Sequence, residues 1–208
     1  MRYARGEREA LADLLLALGP DAPTINEGWA TRDLAAHLVL RERRPDAAGG
    51  IMLAPLRGYA ERVRRRLAAR PYADLVAQVR RPPVWSPVSN PVTDELANTL
   101  EFFIHHEDVR RAGSGWLPRE LPPGLQAALW RRVAPLARLA LRRFPADLYV
   151  QAPGYGGISV GRGGERLRMV GAPAELALFL SGRQRVARVQ LDGSAASARL
   201  LRNASLGM

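Results

Sequence analysis

A mainly α-helical chain is expected: a bundle of four helices over residues 1–117, followed by a small α+β domain over 118–208. Three observations predict it. Apolar residues in the first half recur with helical spacing, and short β-like runs occur only in the second half. Between them lies "GSGWLPRELPPG" (Gly113–Gly124), rich in the glycine and proline that interrupt regular structure. With 208 residues, 47% of them hydrophobic, the chain can bury a sizeable core, and disorder is not expected.

In "EREALADLLLALG", Leu11, Leu14, Leu15 and Leu18 fall at i, i+3, i+4 and i+7, an amphipathic stripe ended by Gly19-Pro20. "GWATRDLAAHLVLRERR" starts a second helix, with Thr31 as the expected N-cap, Asp33 in the first turn and Pro45 as the stop. A third helical region spans about Leu56 to Arg80 with a break at Pro71. "RPPVWSPVSNP" (Arg81–Pro91) reads as a loop, and a fourth helix runs from about Thr93 to Ala112. Beyond the break, a helix fits Leu125–Arg143. The runs "LYVQA", "GISVG" and "RLRMVG" then read as strands separated by glycine-rich turns. "GAPAELALFLSGR" reads as a helix with Pro173 early and Gly182 just past its end, and "ARVQLDGSAASARLL" as a last strand and a short helix.

Composition narrows the chemistry. The chain has no cysteine, so disulfides, thiolate metal sites and a cysteine nucleophile are excluded. Its formal charge is +11, and every basic residue is arginine. These arginines are dispersed, most of them on polar faces of expected helices, and aromatic residues make up only 6% of the chain. Nucleic acid is therefore not the expected partner. No apolar run approaches the roughly 18 residues of a membrane span, and the N-terminus lacks a small-residue cleavage site. A cytoplasmic location without membrane association is expected. "GYGGISVGRGG" lacks the third glycine of a dinucleotide fingerprint and reads as hairpin turns, and no G-x-S-x-G elbow occurs.

The three histidines carry the remaining chemistry. On a helix, residues four apart are displaced by about 40° and residues seven apart by about 20° in the other sense. Glu101, His105 and Asp108 therefore share a face, and His106 points away from it, as a bystander or rim residue. The E-x-x-x-H spacing brings a carboxylate and an imidazole within reach of one cation, and a third ligand must come from another helix. The remaining histidine is His37, three residues after Leu34 on the apolar face of the second helix. Spacing alone fits equally a hydrogen-bonded core histidine at 37 and a surface i,i+4 pair at 101 and 105.

"W-x-x-R-D-L-x-x-H-L" (Trp29–Leu38) and "E-x-x-x-H-x-x-D" (Glu101–Asp108) together resemble the DinB-like superfamily. Within it they are most similar to the mycothiol-dependent maleylpyruvate isomerases of actinobacteria. The resemblance implies an N-terminal four-helix bundle that binds a divalent metal, usually zinc, through His37, Glu101 and His105. Iron(II) and nickel suit the same donors. Asp108 is then expected to orient a ligand or to pair with a nearby arginine. "FLSGR" (Phe179–Arg183) is similar to the family's L-x-G-R motif and makes Arg183 the counterpart of a functionally important arginine. The implied activity is metal-assisted, thiol-dependent transfer or isomerisation of a small electrophile, with mycothiol as the thiol. His106 and Glu107 depart from the small and aromatic residues usual in the isomerases, so the particular substrate is not implied. A non-catalytic metal-binding or sensor protein is the alternative, followed by an Arg-rich nucleic-acid binder.

Overall fold

The structure, a computed structural model, describes residues 3–90, 93–142, 144–161 and 163–206, apart from the side chain of Met52. The chain is mainly helical, with one four-stranded sheet, and divides into two compact units at Pro118/Arg119. Pro91 at the end of the expected loop and Arg143 at the end of the expected helix lie outside the described residues.

In the N-terminal unit, α1 (Tyr3–Leu18) buries Leu11 and Leu15, whereas Leu18, the last helical residue, is 48% exposed. Gly19 ends the helix with φ 79°, a conformation that costs glycine little. The next helix, α2 (Thr31–Arg43), starts one residue earlier than the sequence suggests. Ala30 is the N-cap, and the Asp33 carboxylate accepts from its amide at 3.0 Å. The Thr31 hydroxyl instead donates to Gly19 O at 2.5 Å and ties the start of α2 to the end of α1. Pro45 does not simply stop the chain. It opens a further helix, α3 (Pro45–Met52), which the sequence reading lacks; at the first helical position proline's missing N–H has no intrahelical partner to lose.

A 3-10 turn (Ala54–Leu56) leads to α4 (Arg57–Ala68). The expected third helical region is thus two helices divided at Pro71, as the sequence suggests, with α5 (Tyr72–Arg80) following the proline. Gly50 is where α3 meets α4: a Cβ there would stand 2.6 Å from Ala60 Cβ. Residues 81–90 form no regular element, and α6 (Asp94–Arg110) completes the unit. Helix α1 packs on α5 and α6, and α2 on α3, α4 and α5. Leu11, Leu15, Leu34, Leu38, Leu75, Val76 and Phe102 share one apolar core.

That core encloses charge. Arg8 is 2% exposed, and its guanidinium donates to both oxygens of Glu42 at 2.6 and 2.8 Å, to Val79 O at 2.9 Å and to Asp94 at 3.2 Å. Ser89 also donates to Glu42, and Asn98 donates to Ser89 and Asp94.

The C-terminal unit begins with α7 (Pro123–Ala140). Its sheet consists of β1 (Ala146–Ala152), β2 (Gly156–Val160), β3 (Glu165–Val170) and β4 (Gln190–Asp192), in the order β2-β1-β3-β4. The central β1–β3 pair is parallel and the two outer pairs are antiparallel. Between β3 and β4, α8 (Pro173–Leu180) is buried throughout and packs on α7; α9 (Ala195–Asn203) follows β4. Leu148, Val150, Leu167 and Met169 point to the buried side of the sheet.

Truncating one partner of a buried, bidentate ion pair leaves an uncompensated charge. Arg8→Ala is expected to lower the unfolding free energy by about 3–5 kcal/mol in urea titrations. The double variant Arg8→Met/Glu42→Leu should recover a large part of that loss. A change below about 1 kcal/mol for Arg8→Ala would show that the pair does not hold the unit together.

Candidate metal centre

Helix α2 supplies His37, and α6 supplies Glu101 and His105 one turn apart. Their side chains converge: His37 Nε2 lies 3.5 Å and His105 Nε2 3.3 Å from the same oxygen, Glu101 Oε1. One ligand atom from each of the three residues falls within 4.8 Å of the others, and the group can hold a metal ion. Donor atoms tetrahedrally arranged at about 2.0–2.1 Å from a zinc ion stand about 3.3–3.4 Å apart, so the two imidazole–carboxylate separations fit such an ion. The side chains of His37 and His105 are 12% and 10% exposed, and that of Glu101 is 26% exposed, so solvent reaches the site at the carboxylate.

Neighbours fix each ligand. His105 Nδ1 donates to Asp108 Oδ2 at 2.9 Å, and Asn26 Nδ2 donates to the same oxygen at 3.1 Å. Asp108 is fully buried, and its backbone carbonyl accepts from Ile25 N, so the carboxylate that orients His105 is itself anchored. With Nδ1 committed to Asp108, Nε2 is the atom His105 presents to Glu101. The His37 ring lies between His105, at 5.2 Å between centroids and edge-on, and Trp29, at 5.3 Å. Behind Trp29 the Arg64 guanidinium stacks at 4.8 Å and pairs with Asp33 and Glu61.

Charge is balanced around the carboxylate. Arg41, one turn beyond His37, places Nε 3.3 Å from Glu101 Oε1 and donates through its other nitrogens to Asn98 Oδ1 and Ala97 O. Burial opposes ionisation of Glu101. Hydrogen bonds from His105 and His37, with the charges of His105 and Arg41, overcome it and hold the carboxyl well below its usual range. For His37 burial dominates and lowers the pKa, keeping the imidazole neutral. Burial also works against protonated His105, yet its bonds to Asp108 and Glu101 prevail and raise it to about 9.

His37, Glu101, His105 and Asp108 are thus brought together. His106 is not a rim residue: it is buried, with Nδ1 3.0 Å from Glu7 Oε2 of α1. Arg183 lies in the other unit, just past α8. There Gly182 has φ 87° and the Arg183 amide donates to Leu178 O, the closing bond of a Schellman cap, while Nη1 donates to Ser181 O at 2.6 Å. Sequence reasoning missed Arg41, Asn26 and Trp29 as neighbours of the site. Arg41, four residues after His37, shares its helical face, and Trp29 opens the motif that contains His37; Asn26 carries no such signal.

No family model matches the chain, and no curated protein or solved structure matches it.

Ligand imidazoles must be neutral, whereas His105 with a pKa of about 9 is protonated at neutral pH when no ion is bound. Metal uptake at pH 7 is therefore expected to release about one proton, measurable by calorimetry in buffers of different ionisation enthalpy. Apparent affinity should rise about tenfold per pH unit up to about pH 9 and then level off. Asp108→Asn should weaken metal binding by about 10–100-fold. In elemental analysis, His105→Ala should lose the metal and His106→Ala should keep it. Metal retained equally by both would exclude the site.

Proposed function

We propose that the chain is a DinB-like, mycothiol-dependent maleylpyruvate isomerase-type protein. Its N-terminal unit is then a metal-binding four-helix bundle that works in thiol-dependent transfer or isomerisation of a small electrophile. The observation that carries the reading is the convergence of two imidazole Nε2 atoms on one partly exposed carboxylate. Two nitrogens and one oxygen leave at least one coordination position for an exogenous ligand, the pattern of catalytic zinc sites; iron(II) and nickel suit the same donors. A divalent ion held there lowers the pKa of a thiol or water that reaches it.

The chain's own residues do the rest. His37, Glu101 and His105 hold the ion, and Asp108 fixes the ring orientation of His105. Trp29 supplies an apolar wall beside His37 that restricts its rotation. Arg41 offsets the charge of Glu101, which favours an anionic ligand at the open position. A protein without cysteine must take its thiol from solution, and a low-molecular-weight thiol such as mycothiol meets that need. Arg183 is the residue proposed to grip a carboxylate of substrate or thiol.

Calorimetric titration of the zinc-loaded protein with mycothiol tests the proposal. Saturable binding that disappears in His37→Ala is expected, together with thiol-dependent turnover of small electrophiles such as maleylpyruvate. A fully loaded protein with neither thiol affinity nor turnover would overturn the enzymatic reading and leave a metal-binding or sensor protein.

A further inference from the structure

The excess positive charge is not shared evenly between the two units. Up to Pro118 the sequence has seventeen arginines against fifteen acidic residues, and beyond it fourteen against five. Nine of the eleven net charges therefore belong to the C-terminal unit. The use of arginine at every basic position does not account for this surplus over acids.

The few carboxylates there are largely engaged elsewhere. Asp147 accepts from Gly163 N, Glu165 from Ser194 and Ser197, and Glu175 from Arg188 N. Arg131, Arg138, Arg142, Arg166, Arg185, Arg199 and Arg202 are exposed, with no carboxylate partner among the described residues. This is unlike the N-terminal unit, where ion pairs bind Arg41 on α2 and Arg110 on α6, the helices that carry the site, and Arg8 and Arg64 on α1 and α4.

One face of the sheet adds a second, independent feature. Opposite the buried Leu148, Val150, Leu167 and Met169, the outward positions are Asp147, Tyr149 and Gln151 on β1 and Arg166 and Arg168 on β3; Asp147 stands in register with Arg166 and accepts from Gly163 N. Tyr149 pairs in register with Arg168 on one side and with Ser159 on the other. Its ring leans over Gly157, where a Cβ would run into the phenol, so the missing side chain lets the ring lie down against β2. The ring remains 43% exposed. Arg168 is held by Gln151 Oε1 at 2.5 and 3.1 Å and only weakly by Asp192, at 3.5 Å. Arg166 and Arg168 stand about 6.6 Å apart along the strand.

We infer that this open sheet face binds single-stranded nucleic acid, with a base stacked on Tyr149 and phosphates on Arg166 and Arg168. A recumbent aromatic ring beside cations suits an unpaired base and its phosphates. An anionic membrane is the poorer match. Among the described residues of this unit the exposed large apolar side chains, Leu139, Tyr149 and Leu200, are isolated rather than grouped for insertion. The inference is independent of the metal centre, and its variants should leave metal content unchanged.

Fluorescence anisotropy of the full chain with a labelled 20-mer of oligo(U) tests it. Saturable binding at 50 mM salt is expected, weakening roughly tenfold or more by 200 mM. Tyr149→Ala should weaken binding about tenfold and Tyr149→Phe by no more than about twofold. Arg166→Gln/Arg168→Gln should weaken it and reduce the salt slope by about 1.4, the share of two phosphate contacts. Arg57→Gln/Arg70→Gln, which removes the same charge from exposed positions of the N-terminal unit, should change nothing. Thermal melts identify any variant that fails to fold, and if Tyr149→Ala does, the two arginine pairs decide. Absence of binding at 50 mM salt would overturn the inference, as would equal losses in the two arginine pairs. So would a folded Tyr149→Ala that binds like the wild type, or phosphatidylglycerol vesicles that bind and are not displaced by oligo(U).

Discussion

Glu101 Oε1 faces three nitrogen donors from two helices: His37 Nε2 and Arg41 Nε of α2, and His105 Nε2 of its own helix α6. Such partners replace the part of the carboxylate's hydration that packing removes and keep it ionised. The constraint propagates, because Arg41 is shared with Asn98, Asn98 with Asp94, and Asp94 with Arg8 and Glu42. A continuous polar seam thus runs from the candidate metal centre through the N-terminal unit to α1. Networks of this kind specify one arrangement only when every member is satisfied, and each of these members has at least one charged or hydrogen-bonding neighbour. The ligands are consequently held in place by contacts that exist without an ion, and the site is preformed.

Much of this was legible in the chain and some was not, for physical reasons. Glu101, His105 and Asp108 share a face by helical arithmetic alone, and that arithmetic separates His106 from them. It says nothing of where His106 goes, since its partner Glu7 is 99 residues away. Burial of Arg8 and Glu42 was equally hidden, because a charged residue on an amphipathic helix is ordinarily solvated and only tertiary packing reverses this. The errors at helix boundaries have a common origin. Pro45 and Thr31 are ambiguous punctuation: proline both ends one helix and begins the next, and a hydroxyl that can cap its own helix can instead bond a neighbouring one.

Whole-chain charge misleads in a related way. Over the 208 residues as a whole the arginines are dispersed and aromatic residues are few, which argues against a nucleic-acid partner. Division of the chain at Pro118 separates a nearly neutral unit, many of whose arginines form internal pairs, from a strongly basic one. Electrostatic attraction acts through the field of a compact unit over about a Debye length, so the local surplus is the relevant quantity.

Motif residues differ in how much they argue for function, and the L-x-G-R-like segment and the histidine–carboxylate motifs illustrate the difference. In "FLSGR" the glycine is required by φ 87° and the following amide by the cap it closes, so any helix ending this way can carry that pattern. His37, Glu101 and His105 satisfy no such local demand: all three lie within regular helix, none caps an end, and none sits in a special conformation. Apolar residues of similar volume at these positions would spare the desolvation of three polar side chains and are often the more stable choice. A costly polar convergence with no backbone duty therefore points to a ligand more strongly than a glycine and arginine that the helix end already explains.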